Sequence, residues 1–292
     1  MQFAYHAGMC NPAFYLELAK AAEAAGYDSF TLPDSIFYPQ QADTKYPYNA
    51  DGSREFLDGV PFLEPFSAVP WMAGVTTKLK FSTSVMKLPI RNPVLVAKSL
   101  TSIAVMTNNR FMLGAGISPW KEDFDICGQP WEGRGKRLDE MIHIIRGLMG
   151  GDYFGYQGEF YQFAPVKMCP VPTQPIPILV GGHADVALKR AARLGDGWIS
   201  AGSTLEDLTA MIGKLNVLRQ ECGRSHLPFH IQAGGVDAYT LDGIRRLEDL
   251  GVTEVVVAFR NTYAGGPDNR TLESMLAELN GYAENVIHKC RA

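Results

Sequence analysis

Apolar and polar positions switch between a short and a helical period from one end of the chain to the other. Apolar runs suited to strands occur at Gln2–His6, Ser29–Pro33, Lys80–Met86, Phe111–Ala115, Ile178–Val180, Gly197–Ser200, Phe229–Ala233 and Glu254–Phe259. Between them, apolar residues recur at helical spacing. Tyr15 to Ala25 is alanine-rich and stopped by Gly26, Val94 to Met106 carries an apolar stripe, and Arg137 to Leu148 repeats Leu138, Met141, Ile142, Ile145 and Leu148. Helical patterns over Leu205–Cys222, Leu241–Leu250 and Leu272–His288 complete the set. Eight strands, each followed by helical material, predict an α/β fold with a parallel sheet. A closed (β/α)8 TIM barrel suits this count better than an open, doubly wound sheet.

Two segments exceed ordinary connections, so the barrel is expected to carry insertions after strands 2 and 4. Residues 35–65 follow the second strand, on the side where a barrel keeps its active-site loops, and are expected to form a lid. Its aromatic residues Tyr38, Tyr46, Tyr48 and Phe56, with Trp71 beyond, are candidates to line a substrate; for Trp71, core packing is the stronger expectation. Residues 150–176 hold a hairpin-like stretch, Tyr153–Tyr161, and a proline-rich extended connection. Neither marks a domain boundary, and residues 1–292 read as one domain.

Composition adds exclusions. Hydrophobic content of 46% against 20% charged residues supplies a large core. A net charge of −4 gives no basic field, so a nucleic-acid or anionic-membrane partner has no support. No apolar stretch reaches membrane-spanning length, and the N-terminal residues lack the pattern of a signal peptide. The five cysteines, Cys10, Cys127, Cys169, Cys222 and Cys290, lack paired spacings, which predicts a reduced, cytoplasmic protein without a structural metal.

Candidate chemistry gathers where strands end. In Pro177-Ile178-Leu179-Val180-Gly181-Gly182-His183-Ala184 a strand finishes at two glycines and a helix follows at once, so unpaired N–H groups and a helix N-terminus converge. This is either an anion site or a tight turn. The other strand ends supply His6, Asp34, Ser84-Val85-Met86, Gly116-Ile117-Ser118, Ala201-Gly202-Ser203, Gly234-Gly235 and Arg260. That set is poor in charge and rich in small residues, unlike the nucleophile–base pairs or carboxylate pairs of hydrolases. It suits a large flat cofactor that brings its own reactivity. Gly114-Ala115-Gly116 is an incomplete dinucleotide fingerprint, because Pro119 stands where its third glycine belongs. His6 and His230 face the core or the mouth depending on register. Arg134, Arg137, Asp139 and Glu140 read as a solvated or salt-bridged helix start.

Several runs together resemble the bacterial luciferase-like monooxygenase superfamily, in particular its short branch of coenzyme F420-dependent oxidoreductases. They are Leu18–Ser29 with Leu32-Pro33-Asp34, Tyr46-Pro47-Tyr48-Asn49-Ala50-Asp51-Gly52, and Ser82-Thr83-Ser84-Val85 through Arg91–Lys98. The others are Asn109–Gly116, Arg134–Glu140, and Gly181-Gly182-His183 with Gly195-Asp196-Gly197-Trp198. The resemblance implies a homodimeric TIM barrel holding F420 or FMN at its C-terminal mouth. It places the cofactor phosphate at Gly181-Gly182-His183 and the ring near Asp34 and Ser84-Val85-Met86, with a cis non-proline peptide at or next to Ser84-Val85. Gly116, Ile117, Ala201 and Gly202 are carried along as cofactor-binding candidates, and Asp34 and Ser84 as catalytic ones.

The chain also departs from the sugar-phosphate dehydrogenases of that superfamily. They have histidine where this chain has Ser35, and glutamate near Pro119-Trp120, so glucose-6-phosphate is a disfavoured substrate. The leading expectation is hydride transfer between F420 and a small organic molecule. An FMN-dependent monooxygenase served by a separate reductase, a cofactor-binding protein without turnover, and a barrel hydrolase or lyase with no redox cofactor are the alternatives.

Overall fold

The computed structural model describes residues 1–7, 9–49, 51–261, 263 and 268–292. Ala50, within one of the runs above, lies outside the described residues. Strands β1 (Gln2–His6), β2 (Ser29–Leu32) and β3 (Lys80–Thr83) are followed by the two-residue β4 (Met86–Lys87) and by β5 (Phe111–Gly116). A hairpin of β6 (Phe154–Gln157) and β7 (Gln162–Val166) precedes β8 (Ile178–Gly181), β9 (Gly197–Ile199), β10 (His230–Ala233) and β11 (Glu254–Val257). β1, β2, β3, β5, β8, β9, β10 and β11 pair in parallel in that order, and β11 pairs back onto β1, which closes the barrel. The eight expected strands are these eight. The third differs from a continuous Lys80–Met86: it breaks at Ser84-Val85, and β4 resumes pairing with β5 beyond the break.

Helices α1 (Tyr15–Ala25), α2 (Pro65–Ala73), α3 (Pro93–Met106), α4 (Lys121–Ile126), α5 (Arg134–Met149), α6 (Asp185–Leu194), α7 (Leu205–Glu221), α8 (Leu241–Asp249) and α9 (Leu272–Tyr282) surround the strands. The expected last helix, Leu272–His288, ends its regular part at Tyr282 and passes through a π-helical turn at Ala283–Ile287. The apolar pattern does not predict α2, because Pro65 and Pro70 fall within nine residues and read as breakers. Pro65 instead sits at the first turn, where its missing N–H costs nothing, and the Glu64 carboxylate caps Ser67 N–H at 2.9 Å. Trp71 lies on this helix with 44% of its surface exposed, so it neither lines the mouth nor packs in the core.

The barrel interior closes at the strand starts around Glu254. Its buried carboxylate accepts Ser29 Oγ at 2.6 Å, Gln232 Nε2 at 2.7 Å and pairs with His230 Nε2 at 2.9 Å. Burial alone raises the pKa of this acid, but the hydrogen bonds from His230, Ser29 and Gln232 outweigh it and hold the group below its ordinary value. His230 is thereby assigned to the end of the barrel opposite the mouth. The hairpin β6–β7 joins α5 to β8 and so also sits on the side where strands begin. Its turn is tied to α5, where Glu140 accepts the N–H groups of Glu159, Phe160 and Tyr161. Of the expected solvated or salt-bridged helix start, Asp139 alone is ion-paired among the described residues, with Arg190 and Arg193 of α6; Arg137 is buried and donates to Pro130 O and Glu132 O, and Arg134 stacks on Trp131.

Candidate active site

At the other end, the break in the third strand is a cis peptide between Ser84 and Val85. Both residues are half-buried, whereas Met86 is fully buried in the core. Met86 therefore presents neither backbone nor side chain to the mouth, and its backbone is taken up by pairing with β5, which departs from the expectation that it borders a cofactor. Val85 is wedged between the ends of β5 and β8. A Cβ on Gly116 would lie 2.4 Å from Val85 Cγ2, and one on Gly181 would lie 2.7 Å from Val85 Cγ1. From sequence these two glycines are expected to admit a ligand; what they admit here is the Val85 isopropyl group, which becomes an apolar shelf at the rim.

The shelf is held by a chain of ion pairs and hydrogen bonds of which sequence reasoning singles out Asp34 and Ser118 as strand-end candidates but none of the pairings. Asp34 Oδ2 accepts Lys87 N–H at 2.8 Å, and Arg91 bridges both carboxylate oxygens at 3.0 Å while donating to Lys87 O at 2.7 Å. Lys87 Nζ pairs with Asp123 at 2.8 Å, and Asp123 accepts Ser118 Oγ at 2.6 Å, which in turn receives Trp120 N–H at 3.1 Å. The Asp34 side chain is 1% exposed, so it presents no surface to a ring. Its contacts hold the backbone beyond the break in the third strand, through Lys87 N–H and Arg91. Arg91 opens one of the runs that carry the family resemblance, but nothing in the sequence marks its pairing with Asp34; Lys87 and Asp123 are lone charges in otherwise apolar or surface-like runs.

The glycine turn after β8 has Gly182 at φ +121°, a conformation that favours glycine, and its carbonyl accepts Trp198 Nε1–H at 2.9 Å. His183 Nε2 accepts Ala201 N–H at 3.0 Å and lies 3.3 Å from Ser200 Oγ, so the ring braces the ends of β8 and β9 and carries its proton on Nδ1. Burial lowers its pKa, with Asp207 partly opposing, so it is neutral near pH 7 and brings no charge to an anion. Asp185 in the first turn of α6 is neutralised by Lys214. An anion here would rest on backbone N–H groups at the start of α6. Ile117 packs partly against the core and Ala201 is half-buried. Gly202 is open, with nothing within 4 Å of the point a Cβ would occupy.

His6 ends β1 at this mouth with Nδ1 buried and unpartnered, and burial pushes its pKa down from 6.5 to about 4. The unfolded chain binds this proton first as pH falls, so stability is expected to decline between pH 6.5 and 4, by about 3 kcal/mol for His6. His183 adds in the same direction. Urea midpoints across that range should fall, and His6→Phe should flatten the fall; an equal slope in the variant would contradict this.

Over the mouth lies the segment between β2 and α2. Tyr46 stacks on Trp120, with centroids 5.5 Å apart and planes 13° apart, and touches Tyr48, Phe56 and Tyr263. Tyr48 meets His183 edge-on at 5.2 Å. The expected lid residues Tyr46, Tyr48 and Phe56 thus converge on the site. Tyr38 stands to one side beneath Arg54.

A profile of the luciferase-like monooxygenase family matches residues 2–236. An uncharacterized protein of Mycobacterium tuberculosis is 53% identical over 289 residues, covering 99% of this chain and 100% of that one. An F420-dependent glucose-6-phosphate dehydrogenase of Tsukamurella paurometabola is 30% identical over 206 residues, covering 68% of this chain and 56% of that protein. In fold, the F420-dependent tetrahydromethanopterin reductase of Methanopyrus kandleri superposes with a TM-score of 0.74 at 17% identity over 99% of both chains. No helix among the described residues is long and apolar enough to cross a membrane. With the barrel, the broken third strand and these matches together, the chain belongs to the luciferase-like monooxygenase family and is an F420- or flavin-dependent oxidoreductase.

Proposed function

We propose that the protein transfers hydride between coenzyme F420 and a small organic substrate beneath the 35–65 lid. The observation that carries this reading is the half-buried Val85 shelf lying beside a glycine turn that offers backbone N–H groups and no net charge. An apolar support for a flat ring next to an uncharged anion cradle fits a cofactor with a ring at one end and a phosphate on its tail. When bound, the deazaflavin supplies the two-electron chemistry, and the protein orients it and excludes water. Ser84 and Val85 would support the ring, Gly181-Gly182-His183 with Ala201 and Gly202 would border the phosphate, and Gly116 and Ile117 would close the rim. Asp34, Arg91 and Lys87 hold the shelf in place. The 30% identity to an F420-dependent dehydrogenase favours F420 over FMN.

The FMN-dependent monooxygenase is the second reading, favoured by the family profile, and it requires a reductase partner. Anaerobic incubation with oxidised or reduced F420 and a panel of alcohols, carbonyls and activated alkenes tests the proposal. Substrate-dependent change in F420 absorbance without oxygen is expected. Turnover appearing only with reduced FMN and oxygen would replace it with the second reading. The family further suggests a homodimer, for which sedimentation should give twice the 32.1 kDa chain mass.

A further inference from the structure

Beneath the lid, Trp120 and Glu122 wall a small cavity together with Ser35, Phe37, Tyr38 and Arg54. The charged groups of this wall have partners, but one carboxylate oxygen has none among the described residues. Arg54 donates to Pro39 O at 2.7 Å and Gln40 O at 3.4 Å and lies over the Tyr38 ring, while Asp123 is paired with Lys87. Glu122 Oε1 accepts Thr44 Oγ1 at 3.3 Å, but its Oε2 is buried with no hydrogen-bond partner. A buried carboxylate oxygen left unpaired is costly unless a ligand or water completes it. Thr44 and Tyr46 belong to the same stretch of lid. Movement that lifts Tyr46 off Trp120 therefore also frees the Glu122 carboxylate, exposing an aromatic face and an acceptor side by side.

We propose that Trp120 and Glu122 select the substrate, which is a flat, uncharged conjugated ring bearing an O–H or N–H donor. The ring takes the place of Tyr46 against Trp120, and its donor bonds Glu122. The unpaired carboxylate repels anions, while Arg54, the basic residue of the wall, is turned to Pro39 O and Gln40 O through one N–H from each terminal nitrogen, so phosphorylated or carboxylated substrates are selected against. This inference rests on the reading of the mouth as a catalytic site, but its test needs no cofactor, so either can fail alone.

Binding of naphthol, naphthalene and naphthoate, three probes with one ring system, is followed by quenching of tryptophan fluorescence in the intact protein. Naphthol is expected to bind most tightly, with the quenching lost in Trp120→Phe. Glu122→Gln should weaken naphthol by about tenfold and leave naphthalene unchanged. Thr44→Val, which removes the lid's hold on Glu122 without touching the carboxylate, should keep the preference for naphthol. Naphthoate or naphthalene binding as tightly as naphthol, an unaltered naphthol affinity in Glu122→Gln, or no quenching by any probe would each overturn the proposal.

Discussion

Replacing Asp34 by alanine is expected to lower stability by about 3 kcal/mol and to abolish tight cofactor binding. The loss has two parts. Arg91, with 18% of its side chain exposed, is left without its partner, and Lys87 N–H loses the acceptor that fixes the strand beyond Val85. Asp34→Asn keeps an acceptor for that N–H and discards the charge, so it should lose less of both. Urea denaturation gives the stability and cofactor titration the affinity. If Asp34→Ala weakened the cofactor while leaving stability untouched, the carboxylate would be meeting the ring itself, and its assignment as a positioning residue would fall.

Gly114→Ala is expected to be at least as damaging, through the barrel rather than the site. A Cβ there would lie 1.7 Å from the carbonyl oxygen of Thr83, and both atoms belong to adjoining strands of a closed sheet that cannot separate locally. The Thr83 hydroxyl spans this close contact, accepting Gly114 N–H at 3.0 Å and donating to Gly114 O at 2.8 Å. Overpacking against backbone costs about 3 kcal/mol or more, so the variant should unfold at a clearly lower urea concentration or fail to accumulate. Gly202→Ala is the matched control, because its added methyl meets nothing within 4 Å. Equal stability of the two variants would mean that the third and fourth barrel strands are not packed as described.

The barrel is legible in the sequence because its signal is periodic and repeated. Each strand core, such as Phe3-Ala4-Tyr5 or Val255-Val256-Val257, is an apolar run, and helices such as α5 carry one apolar face. What escapes is local and depends on tertiary contacts. α2 hides behind two prolines, one of which is harmless at a helix start. The sequence points to strand ends that meet at one mouth, but not to the contacts each residue makes there. Gly116 and Gly181 look like ligand-admitting glycines until Val85 is seen between them. His183 looks like an anion donor until its Nε2 is found accepting Ala201 N–H. Lys87, Arg91, Asp123 and Glu122 acquire meaning only through partners 4 to 78 positions away, as in Lys87–Arg91 and Thr44–Glu122, and no single-chain pattern encodes such pairs. The cis bond at Ser84-Val85 is reached by resemblance alone.

The central claim is that the mouth around Val85 and the Gly181-Gly182 turn is built for a deazaflavin. Calorimetric titration of the purified protein with oxidised F420 and, separately, with FMN tests it most directly. Saturable binding of one F420 per chain is expected, tighter than FMN, and sharply weakened when Gly181→Val displaces the Val85 shelf. Tighter binding of FMN, or no heat with either cofactor, would contradict it.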